Sequence, residues 1–330
     1  MAGGYTHVTL VQLAIEEAVH RRSLLHDEAA QALQLWKKYA IIGSMGPDYP
    51  YLDVADTSSA AWAAAMHSRH VLDFVREAAR RIRILPDKNI RQKCTAWLFG
   101  FASHCVTDGT VHPVVNRKVG PYEQNKTEHR CCEMSQDVLV HAQLNLGAIE
   151  LNGQISFNVA ETSDGSNRLR IDHDIAVLWR GALNAVWRGG RTDNPFSLSG
   201  AMDRLKQWTG STPAEGLPAP DPDQWHRAMW RMLKLAESGG QLVPFARHAA
   251  ANAGVTYPAK PELQYVRNLE VPGNRRMDFE QVFVHAKQNT VAFWGDLSLF
   301  LQGKPSPLDN MAGWSLDDGI DHNEHYVFWS

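Results

Sequence analysis

Two stretches of this chain carry metal-binding side chains at helical spacing. AWLFGFASHCVTDGTVHPVVN holds His104, Asp108 and His112, and HRCCE holds His129 and Glu133. His104 and Asp108 are four residues apart, as are His129 and Glu133. On a helix that spacing puts both members of a pair on one face, about one turn apart. Imidazole nitrogen and carboxylate oxygen together suit zinc. Two such pairs, with His112 between them, can wrap more than one ion. Multi-zinc sites commonly hydrolyse phosphate esters or amides, because the ions activate water and neutralise developing charge.

A single His-x3-Asp pair is usually an ordinary structural contact, so the weight rests on the combination. Of the 15 histidines, His20, His26, His141, His173, His226 and His248 have no such company and read as structural or solvent residues. Cys105 and the vicinal Cys131 and Cys132 sit beside ligand candidates. Thiolates bind zinc, but Cys105 follows His104 directly and so points off the ligand face. The four cysteines have no framework spacing, and the expectation is reduced thiols in a cytosolic protein.

The elements that must position these residues read as helices. Apolar stripes predict helices over 7–22, 26–42, 60–84, 88–108 and 128–147, then near 171–188, 223–237 and 279–301. GSMGPDYPYLD breaks the pattern with glycine and proline, and Gly109 and Pro113 are expected to end the 88–108 helix. Weak alternation over 152–170, around Ser163-Asp164-Gly165-Ser166, predicts a small hairpin or loop insertion. The stretch 190–222 is loop-rich and 304–330 is an irregular, aromatic-rich tail. The fold class is therefore all-α. The expected organisation is one helical catalytic domain over 1–330, with its metal core within 1–145 and further helices and loops over 146–303.

Composition narrows the partners. The chain has 330 residues, 44% hydrophobic, with a formal net charge of -3 and no long basic run. That leaves no strong nucleic-acid footprint. A mean hydropathy of -0.34 fits a soluble protein, and no apolar run approaches transmembrane length. The N-terminus lacks signal-peptide character, so the expectation is a cytoplasmic protein as synthesised, with export requiring a non-classical route.

Five pieces, GYTHV, GSMGPDYP, MHS, FASHCVTDGTVHP and HRCCE, occur in an order that resembles the bacterial zinc-dependent phospholipase C family. Single-strand nucleases share that helical fold and metal core. The resemblance covers residues 4–145 and implies a zinc centre of two or three ions. Its metal ligands would be His7, Asp48, His67, His104, Asp108, His112, His129 and Glu133, with Asp108 bridging two ions. His112 would join His129 and Glu133 on another. His70, three residues beyond His67, is a rival for its place. In the family the N-terminal amine is also a ligand, which here would have to come from Met1 or Ala2.

The function expected from the resemblance is hydrolysis of the glycerol-phosphate bond of phospholipids by a metal-activated water. Asp48 is the first choice to orient or deprotonate that water and Glu133 the second. The substrate would be a phospholipid or other phosphodiester, which fits peripheral contact with a membrane. One alternative is a zinc nuclease for single strands, for which Tyr49, Tyr51 and Trp62 offer stacking rings. Another is a metal-stabilised, toxin-like or interaction module with little turnover.

Overall fold

A computed structural model describes residues 3–21, 25–53, 56–144, 154–188, 217–237 and 254–329. Helices dominate, as the patterning predicts. Helix α1 spans Gly4–His20, α2 Asp27–Leu35, α3 Lys37–Gly43, α4 Thr57–Met66 and α5 Val71–Arg83. The central helix α6 spans Lys88–Val119 and α7 Lys126–His141. Then come α8 (Gln154–Glu161), the strand pair β1 (Ser163–Asp164) and β2 (Asn167–Ile171), and α9 (His173–Leu183), which runs on into a π-helical turn over Asn184–Arg188. Helix α10 (Pro222–Glu237), the short α11 (Leu263–Val266), strands β3 (Leu269–Val271) and β4 (Arg275–Met277) and helix α12 (Phe279–Leu301) complete the order. Both strand pairs are antiparallel.

Four boundaries differ from the sequence expectation. The 26–42 helix breaks at Trp36, which caps α2 and precedes α3. The 60–84 helix breaks at residues 67–70, leaving His67 as the C-cap of α4 and His70 as the N-cap of α5. The 88–108 helix does not stop at Gly109 and Pro113 but runs through both to Val119. Proline lacks an N–H and its ring crowds the carbonyl four residues back. Here that carbonyl is Gly109's, and tertiary packing around α6 outweighs the local cost. Within 152–170 a helix occupies Gln154–Glu161, and the hairpin is confined to 163–171 with its turn at the Asp-Gly-Ser segment. The β3–β4 hairpin was not anticipated. The loop-rich reading of 190–222 falls mainly outside the described residues, as do His248, Met1 and Ala2.

Helix α6 is the axis of the molecule. Every side chain from Cys94 to Val115 is buried, because α2, α3, α5, α7 and α12 all pack against it. A helix wrapped on all sides needs no polar face, which explains its long run of apolar residues. The approach to α3 is unusually close. A Cβ at Gly100 would lie 1.9 Å from the Ala40 carbonyl oxygen, and one at Gly43 would lie 2.2 Å from that of Trp97. Only glycine lets the two backbones touch. That contact sets the Gly46–Leu52 3-10 turn, which carries Asp48, beside the middle of α6.

Helix α5 shows the ordinary amphipathic solution. Val71, Phe74, Val75, Ala78 and Ile82 are buried, and Arg80, Arg81 and Arg83 lie in its last turn, where cations suit the helix dipole. The aromatic tail packs on the core: Trp314 and Leu316 are fully buried and Trp329 nearly so.

Candidate metal centre

Six of the eight expected ligands meet in the interior. His7 comes from the second turn of α1, Asp48 from the 3-10 turn, His67 from the end of α4, and His104, Asp108 and His112 from three successive turns of α6. His7 Nε2 lies 3.2 Å from Asp108 Oδ1, and His112 Nε2 lies 3.4 Å from the same oxygen. His104 Nε2 is 3.0 Å and His67 Nε2 3.7 Å from Asp108 Oδ2. Asp48 Oδ1 is 3.2 Å from His67 Nε2 and 3.9 Å from His104 Nε2. The His7 and His104 rings stack with centroids 3.8 Å apart. Ligand atoms of His7, Asp48 and His104 all lie within 4.8 Å of one another, as do those of His67, His104 and Asp108.

His129 and Glu133 form a separate pair one turn apart on α7, with Nδ1 3.6 Å from Oε1. Glu133 is close enough to His112 for its charge to act on that imidazole. His70 stands outside the cluster, facing Asp73 at 3.3 Å, so the geometry favours His67. Cys105 also lies outside it, its thiol donating to the Phe101 carbonyl at 3.2 Å.

The outward ring nitrogens decide what the inward ones can do. His67 Nδ1 meets the Ala63 carbonyl and His104 Nδ1 the Ser44 carbonyl, both at 2.8 Å. His112 Nδ1 meets the Leu316 carbonyl, and His129 Nε2 meets the Gly120 carbonyl at 2.7 Å. A carbonyl only accepts, so each of these nitrogens carries the proton. The opposite nitrogens, Nε2 of His67, His104 and His112 and Nδ1 of His129, offer lone pairs wherever the ring is neutral. Among the described residues those four buried atoms have no hydrogen-bond partner, and neither does either nitrogen of His7. Lone pairs facing carboxylate oxygens at 3.0–3.7 Å repel unless a cation lies between them. Backbone carbonyls holding the far nitrogen of a ligating imidazole are the usual outer support of a metal site.

Protons cannot supply that charge throughout. Burial pushes His112 down to about 4 against the pull of Asp108. Burial and the adjacent His7 also lower His104. His67 behaves differently: burial opposes its charge, but Asp48 outweighs burial and raises it to about 9. The two aspartates stay ionised. Burial raises both, but His104 and His67 hold Asp48 below the usual range, and His112, His104 and His7 hold Asp108 well below it. The donor set of imidazoles, with His67 giving up its proton on binding, around ionised carboxylates fits zinc.

Sequence reasoning missed the outer supports. Ser44, Ala63, Gly120 and Leu316 support the imidazoles through their carbonyl oxygens, and no residue type signals that. It also missed Asp137 on α7. Its carboxylate accepts from the Tyr5 and Thr6 N–H groups, from the Thr6 hydroxyl at 2.7 Å and from the Tyr257 hydroxyl at 3.2 Å. Asp137 thus caps the first turn of α1, just before His7. It continues the His129–Glu133 spacing by one more turn, a signal the sequence did contain.

A helical protein with a buried histidine–carboxylate centre is the class that fold and site define. The family described as zinc dependent phospholipase C matches residues 6–189, more than half of the chain, and the chain belongs to that family. No match to the chain was found among curated proteins or among solved structures.

Proposed function

We propose that the chain is a zinc-dependent phospholipase C that cleaves the glycerol-phosphate bond of phospholipids. The observation that supports it most is the convergence of partnerless imidazole nitrogens on two ionised aspartates inside α6, α1, α4 and the 3-10 turn. His7, Asp48, His67, His104, Asp108 and His112 would hold metal, and His129 with Glu133 would complete the set, for two or three ions in all. Asp108 presents one oxygen to His7 and His112 and the other to His104 and His67, as suits a carboxylate shared between ions. Bound zinc supplies Lewis acidity for phosphoryl oxygens and lowers the pKa of water toward roughly 7.

The chain's own residues supply the rest. Asp48 is the most solvent-reached of the clustered carboxylates, with 22% of its side chain exposed against 0% for Asp108. It is ionised and sits on a turn at the edge of the cluster, where it can orient a water and accept its proton. Glu133, at the other end, is the second candidate for that role. The imidazoles fix geometry through their carbonyl-held far nitrogens.

One observation favours a single-strand nuclease as the second reading. The half-buried Tyr51 ring lies 5.7 Å from the His67 ring, where a base could stack. Tyr49 and Trp62 are each 1% exposed and are core residues.

The test is turnover by the zinc-loaded protein of a chromogenic phosphocholine ester and phospholipid vesicles, against single-stranded DNA, each with and without chelator. Chelator-sensitive cleavage of the lipid substrates is expected. Cleavage of DNA alone would establish the nuclease, and no turnover of any substrate would leave the low-turnover module.

A further inference from the structure

The family match ends at residue 189, yet the tail reaches the centre. Leu316 touches two of the clustered histidines through its backbone. Its carbonyl accepts from His112 Nδ1, and its N–H donates to the His67 carbonyl at 2.9 Å. His112 lies on α6 and His67 ends α4, so a single tail residue links the two segments. We infer that residues 314–319 are a positioning element of the metal centre, in which Leu316 fixes the His112 tautomer and its spacing from His67. This rests on the zinc reading above.

Several contacts hold Leu316 in place. Trp314 Nε1 donates to the Cys105 carbonyl at 3.1 Å, and Asn116 Nδ2 donates to the Asp317 carbonyl at 2.8 Å. These contacts pin the segment to α6 on either side of His112. Gly319 does so by shape. Its φ is +70°, a region that favours glycine. A Cβ there would lie 2.3 Å from the Gly109 carbonyl oxygen and 2.8 Å from the Pro113 ring. Pro113 offers no N–H to Gly109, so that carbonyl is left facing the tail, and the tail meets it with its smallest residue. The proline-bearing turn of α6 and the turn of the tail thus meet beside His112.

A tail that only filled the core would stabilise the protein without tuning the metal. The two roles separate in three variants. Gly319→Ala displaces the segment, Asn116→Ala removes one pin, and Trp329→Phe deletes a tail bond elsewhere, from Trp329 Nε1 to the Thr110 carbonyl at 2.9 Å. Zinc affinity is read by competition with a chromogenic chelator, alongside thermal melting. Solvent exchange of the His112 Nδ1 proton is followed by NMR in the zinc-free and zinc-loaded full chain. Gly319→Ala and Asn116→Ala are expected to weaken zinc by about 10- to 100-fold, the usual cost of losing an outer support, and to speed exchange of that proton. Trp329→Phe is expected to lower melting temperature with zinc affinity and proton exchange unchanged. Wild-type zinc affinity and exchange in the first two variants would overturn the inference, as would equal loosening in all three. If the wild type bound no zinc, the hydrolase reading would fall, and the His112 proton would still decide this one. If it bound zinc normally without cleaving phosphodiesters, only the functional reading would fail.

Discussion

Between His7 and Glu133 the centre is made of side chains, six of them imidazoles and carboxylates within a few ångströms of one another. Among the described residues after 217, Leu316 meets two of the centre's histidines through backbone, its N–H and its carbonyl. The first region places reactive atoms and the second restrains them. The two therefore fail differently when mutated: loss in the first removes a ligand, whereas loss in the second leaves every ligand present and less well aimed. Each of the following changes breaks or sharpens that contrast.

Asp108→Asn carries the largest expected effect. It removes the carboxylate that faces four imidazoles, so bound zinc and activity should both fall, with kcat/KM down by at least about 100-fold. Zinc at roughly 1,000 times its Kd stabilises a fold by about 4 kcal/mol, and the variant should forfeit most of that. Metal analysis and thermal melting with and without zinc check it. An Asp108→Asn protein with unchanged zinc and activity would remove Asp108 from the centre.

Asp137→Ala comes next. It leaves the Tyr5 and Thr6 N–H groups and two hydroxyls without their acceptor, and should cost about 3 kcal/mol in chemical denaturation. Burial pushes the Asp137 carboxyl up to about 7 from its ordinary 3.8, against the donors that hold it down. The folded state thus binds that proton more tightly than the unfolded chain. Its contribution is fully present below about pH 4 and is lost as pH rises through about 7. Asp137→Asn should abolish that slope, seen as a stability difference from wild type that changes between pH 4 and 7.

The α6 and α7 candidate ligands were legible in the sequence because i, i+4 spacing is itself a geometric statement. His104 and Asp108 had to share a face, as did His129 and Glu133. Asp48, His67 and His7 became visible only through the resemblance, since no spacing relates a turn, a helix end and α1 to one another. The break at residues 67–70 was hidden because Met66 to Val71 contains no glycine or proline, and it is tertiary contact with Leu316 that holds the His67 carbonyl there. Pro113 misled for the converse reason: its local cost to a helix is real but small beside the packing of α6 on every side. Leu316 left no trace, because any residue has a carbonyl.

A pH titration of zinc affinity has a graded effect. In the zinc-free protein Asp48 raises His67 to about 9. The stability from that pair is full below pH 6.5 and is lost as pH rises through about 9. Zinc must displace the proton, so apparent affinity should rise by about tenfold per pH unit between pH 6.5 and 9 and then level off. A flat profile over that window would place His67 outside the metal shell. His70→Ala should change least, with zinc content unchanged and stability within about 0.5 kcal/mol, since its contact with Asp73 is a partly exposed pair. Loss of zinc on that change would reverse the assignment of His67 over His70.

The most direct measurement is anomalous X-ray scattering at the zinc edge from crystals of the zinc-loaded protein. The expected result is two or three peaks. They should lie among His7, Asp48, His67, His104 and Asp108, with one beside His112, His129 and Glu133, at metal–ligand distances of roughly 2.0–2.3 Å. A crystal grown in zinc with no peak among these side chains, and with their imidazole nitrogens hydrogen-bonded to one another or to water instead, would contradict the account.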